Sequence, residues 1–236
     1  MSTRAVFFDL LGTVALFLPE QEELLVASAA TQGIAMTLQD ARRGFAISGD
    51  WWNRQLIRQP LAERTQDEKN TLYREFDQRV MQAAGFDLSE EQAFQIFREL
   101  MRRARGSRLA IYNDVIPAFK ALQGRDIKLG IISNVGRQLP QLLDSVGLTG
   151  YLTTVVSQGE VGVGKPSPGI FVAALERAHL APEEAIYVGD QFENDVVGAR
   201  GAGLLPILLD RYDLFPDVTD CLRVNSLEAV RSHLMD

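Results

Sequence analysis

Cysteine is almost missing from this chain: Cys221 is the only one in 236 residues, so no disulfide can form within it. That fits a reducing compartment, and Cys221 itself reads as a small core hydrophobe at the start of a late strand rather than a nucleophile. Histidine is nearly as scarce. His179 and His233 are the only two, both in the terminal turns of predicted helices, where cationic residues are common. Zinc-type Cys/His spacing is absent, and serine or cysteine hydrolase chemistry has little support. Basic runs are missing too. The 24 Lys and Arg face 31 Asp and Glu, for a net charge of −7, so nucleic acid is a poor partner. No long uninterrupted apolar run occurs either. The stretch from Ala5 to Leu18 is split by Asp9, is preceded by one basic residue, Arg4, and runs into Pro19-Glu20. It is too short to span a bilayer and lacks a small-residue cleavage site. The expectation is a soluble, cytoplasmic protein with no membrane partner, without internal repeats or low-complexity segments.

The length suits one core domain with an inserted subdomain. Two textures divide the chain. From about Phe17 to Arg105 the sequence is helical in character, rich in Glu, Gln, Arg, Ala and Leu. Apolar residues recur there at helical spacing, as in Leu72, Phe76 and Val80, or Phe94, Phe97, Leu100 and Met101. Loop signals near Gly49-Asp50, Gln59-Pro60 and Gly85-Phe86-Asp87 divide it into about four helices. Beyond Ile111, short apolar runs alternate with helical stretches. Strands are expected at Ala5–Phe8, Ile127–Ile132, Thr153–Val156, Ala185–Val188, Leu205–Leu209 and Leu222–Val224. Helices are expected at 138–146, from Ser167-Pro168 onward, and through Ala199-Arg200. The spacing predicts an α/β fold, a doubly wound parallel sheet with helices on both faces, interrupted after its first strand by an all-helical insert. Residues 1–16 and 106–236 are assigned to the core and 17–105 to the insert, which would stand over the strand ends like a lid.

Four polar signatures fall at predicted strand ends or in the loops that follow. Asp9 closes the first strand ahead of Leu10-Leu11-Gly12-Thr13. Ser133-Asn134 follows Ile131-Ile132. Lys165 sits in Gly162-Val163-Gly164-Lys165-Pro166. Gly189-Asp190 follows the Tyr187-Val188 strand, with Asp195 five residues on. Alone, each is as readily a turn residue or a helix-start carboxylate. In a doubly wound sheet all four converge on one crevice.

The segments FFDLLGT, IISN, GVGKPSPGIF and YVGDQFENDVVGA, in this order, resemble the haloacid dehalogenase superfamily, with the insert in the place of its α-helical cap. The resemblance implies a hydrolase in which Asp9 is the nucleophile and forms a covalent aspartyl intermediate. It implies Mg²⁺ held by Asp9, Asp190 and the backbone carbonyl of Leu11, with Asp195 as an orienting or alternative ligand. Lys165 would neutralise charge on the nucleophile and the phosphoryl group, and the Ser133 hydroxyl would donate to a phosphoryl oxygen. Thr13 and Asn134 are assigned to the substrate-binding loops, Thr13 tying its loop down. In the insert, Trp51 and Arg54 are the specificity candidates, within Trp51-Trp52-Asn53-Arg54.

One position departs from the pattern. Phosphatases of this superfamily usually carry a second Asp two residues after the nucleophile, to protonate the leaving group and then activate water; this chain has Leu11. Three readings follow. The first is a Mg²⁺-dependent phosphatase acting on a small phosphorylated metabolite and favouring good leaving groups. The second is a 2-haloacid dehalogenase, whose departing halide needs no acid, although such enzymes lack the Gly-Asp motif kept here. The third is a non-catalytic relative that binds a phosphorylated ligand or a partner. Phosphonate cleavage would need a cap lysine, and Lys69 is the only one, in a charged helix. The partner is thus a small phosphorylated or halogenated acid, and the chain a monomer or homodimer.

Overall fold

The computed structural model describes residues 2–234. It divides into two compact units, Met1–Leu16 with Leu109–Asp236, and Phe17–Arg108. The second crossing falls three residues beyond the expected boundary, because the chain is still in helical turns through Gly106 and enters a strand at Arg108.

In the first unit the strands are β1 (Ala5–Phe8), β4 (Lys128–Ser133), β5 (Thr154–Ser157), β6 (Ala185–Gly189), β7 (Leu205–Leu209) and β8 (Leu222–Val224). They form one six-stranded sheet in the order β5-β4-β1-β6-β7-β8, with every pairing parallel. Parallel strands buried on both faces should read as unbroken apolar runs, and β1 and β6 are buried at every residue. Their pleat sorts the side chains. Val6, Phe8, Ile186 and Val188 join Phe119 and Leu122 of helix α5 (Val115–Gln123) in one core. Ala5, Phe7, Ala185 and Tyr187 join Ile170, Phe171 and Ala174 of α8 (Pro168–Ala178) in the other. Helices α6 (Leu139–Ser145), α7 (Gln158–Val161) and α9 (Gly198–Gly201) complete the connections. From β1 the chain winds outward to β4 and β5; from β6 it winds the other way, to β7 and β8. The winding reverses between β1 and β6, where an open α/β sheet splays its loops apart.

The second unit contains α1 (Gln21–Ala30), α2 (Leu38–Arg58), α3 (Gln66–Ala83) and α4 (Glu90–Arg103). Three of these begin with reciprocal capping pairs, Thr37–Asp40, Thr65–Glu68 and Ser89–Gln92, which satisfy backbone donors a helix start leaves open. Leu25, Ala41, Val80, Met81 and Ile96 pack in their own core.

Two expectations fail. Gly49-Asp50 is no loop: α2 runs straight through it. A mid-helix glycine costs about 1 kcal/mol, and the aromatic packing of Phe45 and Trp52, on either side of it along α2, against Phe76 outweighs that. Strands also occur where none was expected: β2 (Ala15–Leu18) and β3 (Arg108–Ile111) form a separate two-stranded sheet. Their pairing joins segments about ninety residues apart, a contact no local pattern announces.

Candidate active site

Asp9 leaves β1 at the winding reversal, where its backbone N–H donates to the Val188 carbonyl of β6 at 2.9 Å. Asp190 follows the end of β6. The turn between Asp9 and Val14 brings Thr13 onto Asp190, with the fully buried hydroxyl donating to Oδ1 at 2.8 Å. Gly12 makes that approach possible. It has φ +88, and a Cβ there would overlap the Asp190 carboxylate. Gly189 serves the same end on β6, since a Cβ at that position would overlap Asp195.

Lys165 arrives from the loop after α7 and is 5% exposed. Its Nζ donates to Asp9 Oδ1 at 2.6 Å, to Asp195 Oδ1 at 2.6 Å and to the Tyr187 hydroxyl at 2.9 Å. Asp195 lies in a π-helical stretch, Phe192–Val197, and its Oδ2 accepts the Gln191 N–H at 2.9 Å. Ser133 ends β4, buried, with its Oγ accepting the Val135 N–H at 3.3 Å. The structure therefore brings together Asp9, Thr13, Lys165, Asp190 and Asp195, with Ser133 at the end of β4, the strand paired with β1.

Two residues of the expected substrate-binding loops have partners within the protein. Both ends of the Asn134 amide bind the lysine loop: Nδ2 donates to the Lys165 carbonyl at 3.0 Å and Oδ1 accepts the Lys165 N–H at 2.6 Å. Thr13 ties its own loop to Asp190. A polar side chain with its hydrogen bonds met by the protein has little left to offer a ligand. Trp51 and Arg54 lie on α2 in the helical unit. Trp51 is stacked by the Arg79 guanidinium, 4.4 Å from its ring, while Trp52 packs on Tyr73 and Phe76 and Arg54 is exposed.

Three residues escaped the sequence reading. Tyr187 looked like another core aromatic in an apolar strand. Arg211 forms a bidentate pair with Asp114, at 2.8 and 3.0 Å, and donates to the Thr13 carbonyl at 2.8 Å, bracing the loop that carries Asp9. Neither Arg211 nor Asp114 falls in a motif.

The electrostatics are lopsided: three carboxylates face one ammonium. Burial pushes Asp9 up to about 6 despite Lys165 beside it. Burial, then the charges of Asp9 and Asp195, hold Asp190 well above the ordinary carboxylate range. Burial opposes charge on Lys165, but Asp195 and Asp9 outweigh it and keep its pKa raised. One oxygen from each of Asp9, Asp190 and Asp195 lies within 4.8 Å of the others. Hard oxygen donors with surplus negative charge suit a divalent cation, which would let all three ionise together. Beside them Asn194 Oδ1 is buried with no partner among the described residues, an acceptor of the kind that native proteins rarely leave unused.

Residues 3–203 match the family model of the haloacid dehalogenase-like hydrolases: the chain belongs to that hydrolase family. Among its relatives are a glyceraldehyde 3-phosphate phosphatase of Methanopyrus kandleri, 38% identical over 101 residues, covering 42% of this chain and 43% of that protein. A phosphoserine phosphatase of Thermus thermophilus is 32% identical over 160 residues, covering 66% and 62%. The matches thus span less than two thirds of either relative. The crystal structure of a HAD phosphatase from Thermococcus onnurineus shares the fold, with TM-score 0.56 at 23% identity over 98% of this chain and 97% of that one. Among the described residues no helix is long and apolar enough to cross a membrane.

Proposed function

We propose that this protein is a Mg²⁺-dependent phosphatase that cleaves a small phosphorylated metabolite through an aspartyl-phosphate on Asp9. The observation that carries the reading is the buried contact of Asp9 with Lys165, next to an Asp190 that Thr13 aims into the same crevice. The names of the relatives in Methanopyrus kandleri and Thermus thermophilus agree with phosphate ester cleavage. Asp9 and Asp190, with the carbonyl of Leu11, would hold the ion, and it would supply the positive charge that lets an anionic nucleophile approach an anionic phosphoryl group. Asp195 has Lys165, Tyr187 and Gln191 on its oxygens already, so it orients the lysine.

An Asp9 oxygen attacks phosphorus and the bond from phosphorus to the leaving oxygen breaks. Lys165 balances charge at the nucleophile, and the Ser133 hydroxyl is free to donate to a phosphoryl oxygen. Water then attacks the aspartyl-phosphate, releasing inorganic phosphate and restoring the carboxylate. Leu11 offers no proton for the departing oxygen, so leaving groups that depart as stable anions are favoured. The helical unit is assigned the role of cap, with Trp51 and Arg54 as its specificity residues; a small metabolite is the expected partner, and the cytoplasm the expected location.

Leu11 also favours a second reading, 2-haloacid dehalogenation, where a departing halide needs no proton. The Thr13-oriented Asp190 weighs against it. Phosphate and halide release assayed in parallel, with Mg²⁺ and with EDTA, separates the two. Metal-dependent phosphate release is expected, falling by roughly 10⁴-fold or more in Asp9→Asn. Metal-independent halide release would overturn the phosphatase reading in favour of the second.

A further inference from the structure

Tyr187 sits in the middle of β6 with no exposed surface, in a strand whose other members are Ala, Ile, Val and Gly. Its ring does what a core aromatic does: it meets Phe171 edge-on, centroids 5.0 Å apart. A phenylalanine would serve that purpose without placing a polar oxygen in an apolar layer, where an unpaired hydroxyl is costly. The hydroxyl has a different use. It accepts a hydrogen bond from Lys165 Nζ at 2.9 Å and is 2.9 Å from Asp195 Oδ1, to which it can donate.

An ammonium group has three protons. In Lys165 one goes to Asp9, one to Asp195 and the third to Tyr187. Without the third acceptor, a buried cation with a freely rotating –NH₃⁺ head would have one proton unpaired and no fixed orientation. Tyr187 closes the set. It also ties Asp195 to the same point, so that three groups from β6, the lysine loop and the π-helical stretch lock into a triangle with Asp9 at its open corner.

We propose that Tyr187 is a positioning residue: its hydroxyl takes the third proton of Lys165 and thereby aims the ammonium at Asp9. The proposal rests on the reading of Asp9 and Lys165 as catalytic, and goes beyond it by giving a role to a strand residue that touches neither substrate nor metal. Substitution Tyr187→Phe removes one oxygen and keeps the ring. The chain has four lysines, at 69, 120, 128 and 165, so a ¹⁵N-lysine side-chain NMR spectrum is simple. Lys165→Met identifies the Lys165 signal by its loss.

In the native protein Lys165 is expected to give a signal with slowly exchanging ammonium protons. In Tyr187→Phe that signal shifts and its protons exchange about ten-fold faster, the scale of one hydrogen bond to a charged group. In the phosphatase assay kcat falls about ten-fold while KM stays within about two-fold, because the lost aim matters to charge at the nucleophile rather than to binding. An unshifted Lys165 signal with unchanged exchange overturns the proposal, even if Tyr187→Phe lowers the melting temperature. So does a variant whose kcat equals that of the native protein. The NMR arm needs no turnover, so absence of phosphatase activity in the native protein would sink the functional reading and leave the Tyr187–Lys165 contact still open to test.

Discussion

Leu11 stands two residues after Asp9, where the proposed phosphatase chemistry would call for a carboxyl to protonate the leaving group. It is half-buried and packs against the core that holds Phe8 and Phe119, so it offers shape but no proton. A positioned acid-base group contributes roughly 10²–10⁴-fold. On the phosphatase reading, Leu11→Asp should therefore raise turnover of alkyl phosphates by about 10²-fold or more, and of p-nitrophenyl phosphate far less. Steady-state rates on the two substrates measure the ratio. A uniform change would mean that another group already supplies the proton. At this scale the charged residues were legible: Asp9, Lys165 and Asp190 each stand against an apolar strand or in a glycine loop, where a charge calls for a reason. Tyr187 was not, because a tyrosine in an apolar run reads as core, and its hydroxyl acquires meaning only when Lys165 comes beside it from another part of the chain. Nothing local foretells that the Asn134 amide faces the Lys165 backbone.

Among the helices, α3 carries a group at odds with its setting. Asp77 is 6% exposed, and burial, only partly offset by Arg74, pushes its carboxyl from an ordinary 3.8 up to about 8. The folded chain thus keeps this proton to about pH 8, while the unfolded chain gives it up near 3.8. Across that window the folded state holds more protons, and stability falls as pH rises. Asp77→Asn should remove the slope. Its gain in melting temperature is expected to be absent below about pH 4, to grow with pH and to level off above about pH 8. A melting temperature difference that does not change with pH would show that Asp77 ionises normally. The capping pairs at Thr37, Thr65 and Ser89 each span only four residues, so these helix starts are local features of the chain. Met101 shows the reverse. It continues the apolar spacing of Phe97 and Leu100 yet is 63% exposed, because α4 packs along a stripe only wide enough for Ala93, Ile96, Phe97 and Leu100.

For the whole molecule, the proposed metal site would couple ion binding to folding through the acidic cluster. Asp9, Asp190 and Asp195 repel one another in a buried site, so an ion that binds the folded state alone stabilises it by mass action. At a hundred times its dissociation constant the gain is about 2.7 kcal/mol. Mg²⁺ is expected to raise the melting temperature and EDTA to reverse the rise. Asp190→Asn should melt higher than the native protein in EDTA, since a carboxyl whose ionisation burial and its neighbours oppose is gone, and gain little from Mg²⁺. Thermal melts of the two proteins with and without the ion decide it. An Asp190→Asn protein that keeps the full Mg²⁺ shift would place the ion elsewhere.

The chain by itself determined the alternation of strands and helices, the all-helical insert and the order of four polar strand ends, because apolar periodicity, capping pairs and glycine turns act over a few neighbouring residues. Only the tertiary structure decided that α2 passes through Gly49, that β2 finds β3, that Asn134 and Thr13 serve Lys165 and Asp190, and that a strand tyrosine completes the lysine's hydrogen bonds. Each of those is a contact between segments far apart in sequence. Its free energy depends on burial and on distances of a few ångströms, which exist only once the sheet has assembled.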